Sequence, residues 1–102
     1  MIYIGHNARV YENARVSGHA TVGGNAQVYG DAVVSGDAYV FASFVYGNAQ
    51  VSGNAQVDGK STIHGHAKVS GHAYVSGHAI LEGDVSFSSG MIRDVHWWRD
   101  VP

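Results

Sequence analysis

The chain has 102 residues, enough for one domain with a modest core, and it is nearly neutral, with six Lys and Arg against eight Asp and Glu. Without a basic stripe, it is not expected to bind nucleic acid. There is no cysteine, so the fold does not depend on disulfides. The segment 1–7 has no basic and apolar leader, and no apolar run has the length of a membrane span. We therefore expect a cytoplasmic protein without membrane association.

From His6 to Ser88 the chain repeats one six-residue unit fourteen times. The unit reads Gly, then Asn, Asp or His, then Ala, any residue, Val and any residue, and a clean copy spans residues 24–29. The first position is Gly in eleven copies, and the third is Ala in eleven. A period this short predicts a solenoid of strands, because each unit can bury its apolar side only against neighbouring units.

The Ala and Val positions of a unit lie two residues apart, so a strand directs both to one face. We predict that these positions form the core, from Ala8 and Val10 through to Val85 and Phe87. Gly followed by Asn, Asp or His indicates a corner. We interpret the second position as one that must tolerate positive φ, a conformation in which Asn, Asp and His are enriched.

Similar residues also recur at a longer period. One such series has spacings of 18, 17 and 18 residues and contains Tyr11, Tyr29, Tyr46 and His64. This period indicates three hexads per coil. The predicted fold is all-β: a single-stranded, triangular, parallel β-helix of about five coils with a short C-terminal cap segment. Residues 1–88 would form the hexapeptide-repeat β-helix, and residues 89–102 a capping or interaction tail.

The single spacing of 17 indicates a corner that is one residue short, at Val40 and Phe41. We assign its unit to residues 41–46, which lack both the Gly and the Asn, Asp or His of a regular corner. Two interpretations stay open: a local adjustment of the backbone, or a contact for which the shorter corner was selected.

The repeat resembles the hexapeptide-repeat family of left-handed parallel β-helices over residues 1–88. The match rests on an aliphatic residue followed four positions later by a small one, as in Val28 and Ala32. The resemblance implies left-handed winding and trimeric assembly. Many members are acyl-CoA-dependent acyltransferases with a catalytic His near a subunit boundary, and others resemble zinc-dependent carbonic anhydrases. Those enzymes typically carry loops extruded from a corner, and this chain has no insertion in its repeats.

Seven histidines invite a metal or a general base. Four of them occupy the second, corner position: His19, His66, His72 and His78. The last three fall on successive corners and point apart, whereas zinc needs three or four ligands within about 2.0–2.3 Å of one point. His64 is interpreted as a ladder or interface residue rather than a base oriented by Asp58 or Glu82. We predict no catalytic residue, no metal site and no cofactor.

One face of the prism is the best candidate for an interaction surface. It exposes Phe44 and Ile80 beside the series of tyrosines, and exposed apolar patches usually mark contacts. The alternative is that the tyrosines only stiffen the prism by stacking. In the tail, Met91, Val95 and Trp98 have helical spacing, which predicts a short helix that covers the last coil or anchors another chain.

We therefore predict a non-enzymatic structural or protein-interaction solenoid. It would self-associate, with a homotrimer favoured, or dock a protein partner through an aromatic edge and the Trp-containing tail. The predicted interaction residues are Tyr11, Tyr29, Tyr46, His64, Phe44, Ile80, Trp97 and Trp98. One alternative is a minimal acyl-CoA-dependent acyltransferase, or a related trimeric enzyme, with a site between subunits. Another is a small inhibitor or decoy that binds a host protein.

Overall fold

The computed structural model describes residues 2–93 and the backbone of residues 96–99. In this part of the chain there are seventeen short strands and no helix, and each strand pairs in parallel with strands three positions before or after it in the chain. The strands form three sheets, which are the three faces of a triangular prism. The predicted parallel β-solenoid of about five coils is confirmed.

The strands are numbered in chain order, and every third one belongs to the same sheet. The first sheet contains β1 (Tyr3–Ile4), β4 (Thr21–Gly23), β7 (Tyr39–Phe41), β10 (Gln56–Val57), β13 (Tyr74–Ser76) and β16 (Met91–Arg93). The second contains β2 (Arg9–Val10), β5 (Gln27–Val28), β8 (Phe44–Val45), β11 (Thr62–Ile63), β14 (Ile80–Gly83) and β17 (His96–Arg99). The third contains β3 (Arg15–Val16), β6 (Val33–Val34), β9 (Gln50–Val51), β12 (Lys68–Val69) and β15 (Ser86–Phe87).

The core consists of the Ala and Val positions, as predicted. From Ala20 to Val85, the side chains at these positions are at most 1% exposed. Burial of a Val side chain contributes about 1.5–3 kcal/mol, so the repeated column of valines is the main source of stability. In the first coil the equivalent residues, such as Val10 and Val16, are only partly buried because they have a neighbouring coil on one side.

The corners are four-residue turns, and the positive φ lies on their glycine. In one of them Gly53 has φ of 65°, and the Ala55 N–H donates to the Ser52 carbonyl at 3.3 Å. This combination is that of a type II′ turn, in which only the first central residue has positive φ. The interpretation of the second position as a positive-φ site is therefore wrong. Among the described residues, the non-glycine residues with positive φ are Glu12 and Ala42.

Each corner is also hydrogen-bonded to the corner of the next coil. The Asn54 N–H donates to the Gly71 carbonyl at 2.7 Å, and the same bond recurs along the corners after the second and third sheets and is made by Lys60 at the corner after the first. The coils approach so closely here that a Cβ added to Gly53 would lie 2.8 Å from the Gly71 nitrogen. Gly53 is thus favoured both by its conformation and by the lack of space between coils, whereas Glu12 at the edge coil takes the same position with φ of 61°.

The shortened corner has a different register from the predicted one. Phe41 is the last residue of β7 and pairs with Gly23, so the short unit begins at Ala42, which takes φ of 55°. The missing residue is the second position of the turn. The Ser43 side chain is buried, and its hydroxyl donates to the Phe41 carbonyl at 3.0 Å, so its hydrogen-bonding group has a partner. The local backbone adjustment that the sequence left open is therefore observed.

The predicted helix in the tail is wrong for the part that the structure describes. β16 and β17 continue the solenoid: Met91 pairs with Tyr74, and His96 pairs with Ile80. Strand pairing prevails over helical spacing here because it satisfies the backbone groups along the edges of β13 and β14. Ile92 enters the core column beside Val75 and is 7% exposed.

The stacked corners predict opposite effects for two exchanges between glycine and alanine. Gly53→Ala places a Cβ at positive φ and against Gly71, so the free energy of unfolding should fall by at least about 1–2 kcal/mol. Ala42→Gly relieves positive φ at the shortened corner and should raise it by up to about 1 kcal/mol. Urea unfolding of both variants checks this, and equal effects of the same sign would contradict it.

Candidate interaction surface

The predicted series of tyrosines is a continuous stack of rings, which we call the tyrosine ladder: Tyr11, Tyr29, Tyr46 and His64. Successive ring centroids are 4.9, 4.8 and 4.9 Å apart, and the planes deviate by 8°, 5° and 4°. The spacing equals the separation of adjacent parallel strands, about 4.7–4.9 Å, so the solenoid itself sets the distance between rings. The ladder runs along the corner that follows the second sheet.

Polar groups continue the ladder at both ends. The Tyr11 hydroxyl donates to Gln27 Oε1 at 3.3 Å, and His64 Nε2 lies 3.9 Å from Glu82 Oε1. Partial burial within the stack raises the pKa of the Tyr29 hydroxyl above its ordinary value of 10.0, and the neighbouring Tyr46 raises it further. A neutral phenol is thus favoured in the middle of the stack, where a phenolate would lose hydration.

The second sheet presents a mixed polar and apolar face beside the ladder. Phe44 pairs with Gln27 and Thr62 and is 37% exposed, while Tyr11 at the end of the ladder is 40% exposed. Ile80 is half-buried, so it offers less apolar surface than the sequence alone suggested. Phe44 and the ladder are therefore the apolar elements of this face, and their role in binding stays a prediction.

The two tryptophans of the tail fall on different columns of the second sheet. The backbone of Trp97 pairs with Leu81, on the column that is buried in every earlier coil from Val28 onward. The backbone of Trp98 pairs with Glu82, the next position after His64 along the ladder column. The side chains of Trp97 and Trp98, which were predicted to bind a partner, lie outside the described part of the structure.

The corner histidines do not converge. His66, His72 and His78 are exposed on three different corners. Within residues 2–93, no group of three or more His, Cys, Asp or Glu side chains could hold a metal ion. With positive φ assigned to the preceding glycine, these histidines occupy ordinary turn positions, where replacement by a β-branched residue carries no penalty from positive φ.

One family model matches the chain, that of the YdcK beta solenoid repeat, over residues 8–24, 26–48 and 49–65. These segments make up more than half of the sequence. The chain belongs to the YdcK β-solenoid repeat family. No curated protein and no solved structure matches it significantly. No helix in the described part of this YdcK-type solenoid is long and apolar enough to span a membrane.

A second aromatic cluster of the YdcK-type solenoid was missed by the sequence analysis. On the first sheet, Phe41 is 41% exposed and stacks on Tyr39 with ring centroids 5.9 Å apart. The Phe41 ring also covers Gly23, whose added Cβ would lie 3.3 Å from its Cδ1 atom. The 18-residue spacing between Gly23 and Phe41 indicates that the two residues pair on adjacent coils. The assignment of Phe41 to the following corner concealed this pairing.

The raised pKa of Tyr29 predicts a loss of stability at alkaline pH. Because the folded state holds the Tyr29 proton more tightly than the unfolded state does, its contribution is full below about pH 10 and is lost as the pH rises through the raised pKa. Tyr29→Phe keeps the ring and removes the titration. The urea midpoint should fall less in this variant than in the wild type between about pH 9 and pH 11, and an equal fall would contradict the effect.

Proposed function

We propose that this solenoid is a non-enzymatic protein-interaction module that assembles with copies of itself, as a trimer with parallel axes. The contact surface would be the second sheet together with the tyrosine ladder. The observation that carries this proposal is the uninterrupted stack of four rings beside the exposed Phe44. Interface cores are enriched in aromatic residues and depleted in charge, and this surface is aromatic in its middle, with the charged residues Arg9 and Glu82 at its two ends.

A comparison with the third sheet supports this choice of face. The outward column of the second sheet carries one charged residue, Arg9, at its first strand, and continues with Gln27, Phe44, Thr62 and Ile80. The outward column of the third sheet contains both Arg15 and Lys68 and no aromatic residue. Desolvation of the second sheet would therefore cost less than desolvation of the third.

The rigidity of the ladder also favours binding. Stacked rings that are held by strand pairing lose little conformational freedom when a partner covers them, which lowers the entropic cost of association. The same rings would stiffen an isolated prism, so stacking alone does not distinguish the two roles. Phe44 is exposed and has no aromatic neighbour on its own column, so it cannot stiffen the prism by stacking there. Its exposure is explained by a binding role and not by a stiffening role.

The tail extends the proposed surface. β17 pairs with β14, so the backbone of the tail belongs to the same sheet as Phe44. A partner seated on this sheet would meet the tail along its edge, consistent with a contribution of Trp97 and Trp98 to the contact. Deletion of residues 94–102 would test this contribution separately from Phe44.

Light scattering at micromolar concentration tests the assembly. The wild type should give three times the 10.8 kDa mass of one chain. Phe44→Thr, which copies the residue found at the next rung, should shift the mass toward a single chain. Gln50→Thr alters the same coil on the third sheet and should leave the trimer intact.

Two results would contradict the trimer. If the wild type had the mass of a single chain, the proposed trimer would be wrong. A mass that grows without limit with concentration would indicate end-to-end association instead. A calorimetric titration of the same samples with acetyl-CoA distinguishes the proposed interaction module from the acyltransferase alternative. Saturable binding of acetyl-CoA would overturn the non-enzymatic role.

A further inference from the structure

A shallow cleft on the first sheet lies between two tyrosines that are two coils apart. Tyr3, Thr21 and Tyr39 occupy successive rungs of one outward column, so the short Thr21 side chain interrupts a column of rings. The cleft above it has a volume of about 220 Å³, and Tyr3, Thr21, Tyr39 and Phe41 are among the residues that line it. It is separate from the tyrosine ladder, which follows the second sheet.

Glycine residues form the floor of this cleft. Gly23 is buried although it lies on the outward column that continues to Phe41, because the Phe41 ring covers it. A Cβ on Gly24 would lie 3.2 Å from Cζ of the same ring. Phe41 and Tyr39 therefore form one aromatic wall, and Tyr3, which is 61% exposed, forms the opposite one. The shortened corner makes this possible, since it places Phe41 on the strand rather than in the turn.

The tyrosine ladder shows what fits between two such rungs. Its rings stack at 4.8–4.9 Å when every coil carries one. Tyr3 and Tyr39 are separated by two strand spacings, about 10 Å, which leaves room for one planar ring at the level of Thr21. A ring in this position would lie between the side chains of Tyr3 and Tyr39, about one strand spacing from each, which is within the range of separations that aromatic pairs favour.

The lining also indicates the chemistry of the ligand. Among the described residues that line the cleft there is no Asp, Glu, Lys or Arg, while Thr21, His6 and Asn7 provide hydrogen-bonding groups. The volume is below the roughly 300–1,000 Å³ of sites for drug-sized ligands, which limits the occupant to one or two fused rings. We propose that this cleft binds a small, neutral, planar aromatic compound with one N–H or O–H group, of the indole or phenol class.

Titration of the ¹⁵N-labelled full chain with indole, followed by NMR, tests the proposal. Saturable shifts are expected at the amides of Thr21, Gly23 and Gly24. Cyclohexanol serves as a control probe, because it has a hydroxyl and an apolar ring but no aromatic face. It should bind at least several-fold more weakly than phenol, which has the same ring size and hydroxyl group but is aromatic, and equal binding would overturn the stacking argument.

Two variants locate the site. Thr21→Tyr supplies the missing ring and should abolish the saturable shifts, whereas Val33→Tyr makes the same change in the same coil on the third sheet and should preserve them. If Thr21→Tyr does not fold, Tyr3→Thr tests the same point and should weaken indole binding about two- to tenfold. Unchanged affinity in the folded variant, absence of saturable binding, or shifts centred on the tyrosine ladder would each overturn the proposal.

Discussion

The fold depends on one constraint, which is the close approach of stacked corners. At a regular corner a glycine with positive φ turns the chain, and where the following coil also has a full-length corner the N–H of the next residue donates to its carbonyl, as Asn54 does to Gly71. A side chain on the glycine would strike the backbone of the next coil. The corners are thus part of the hydrogen-bonded structure rather than loops, and they keep the short strands in register over all the described coils.

This constraint leaves the outward positions free to vary, and the possible functions lie there. Because the strand spacing is fixed, like residues at one position become stacks with a separation of 4.8–4.9 Å, as in the tyrosine ladder. Where a rung lacks a ring, as at Thr21, the same spacing makes a cleft between the rings on either side. One geometric rule accounts for both the flat aromatic surface and the cleft.

The sequence predicted those features that repeat. Period, core columns, number of coils and the ladder all follow from positions that recur in register, such as Val28 and Tyr29. It failed where the signal was local. The positive φ was assigned to the residue after the glycine because both types of residue favour turns, and Phe41 was assigned to the corner because the deletion could not be placed within one residue. The tail was predicted to be a helix because the spacing of its apolar residues does not show that β13 and β14 have unpaired edges with which the tail can pair.

Amide hydrogen exchange, measured residue by residue by NMR, tests the role of the corners most directly. If the corners belong to the ladder, the N–H of Asn54 and His66, bonded to the next coil at 2.7 and 2.9 Å, should exchange as slowly as the strand N–H of Gln56. Exchange of these corner amides at the rate of unprotected loops, with the strands still protected, would contradict the account.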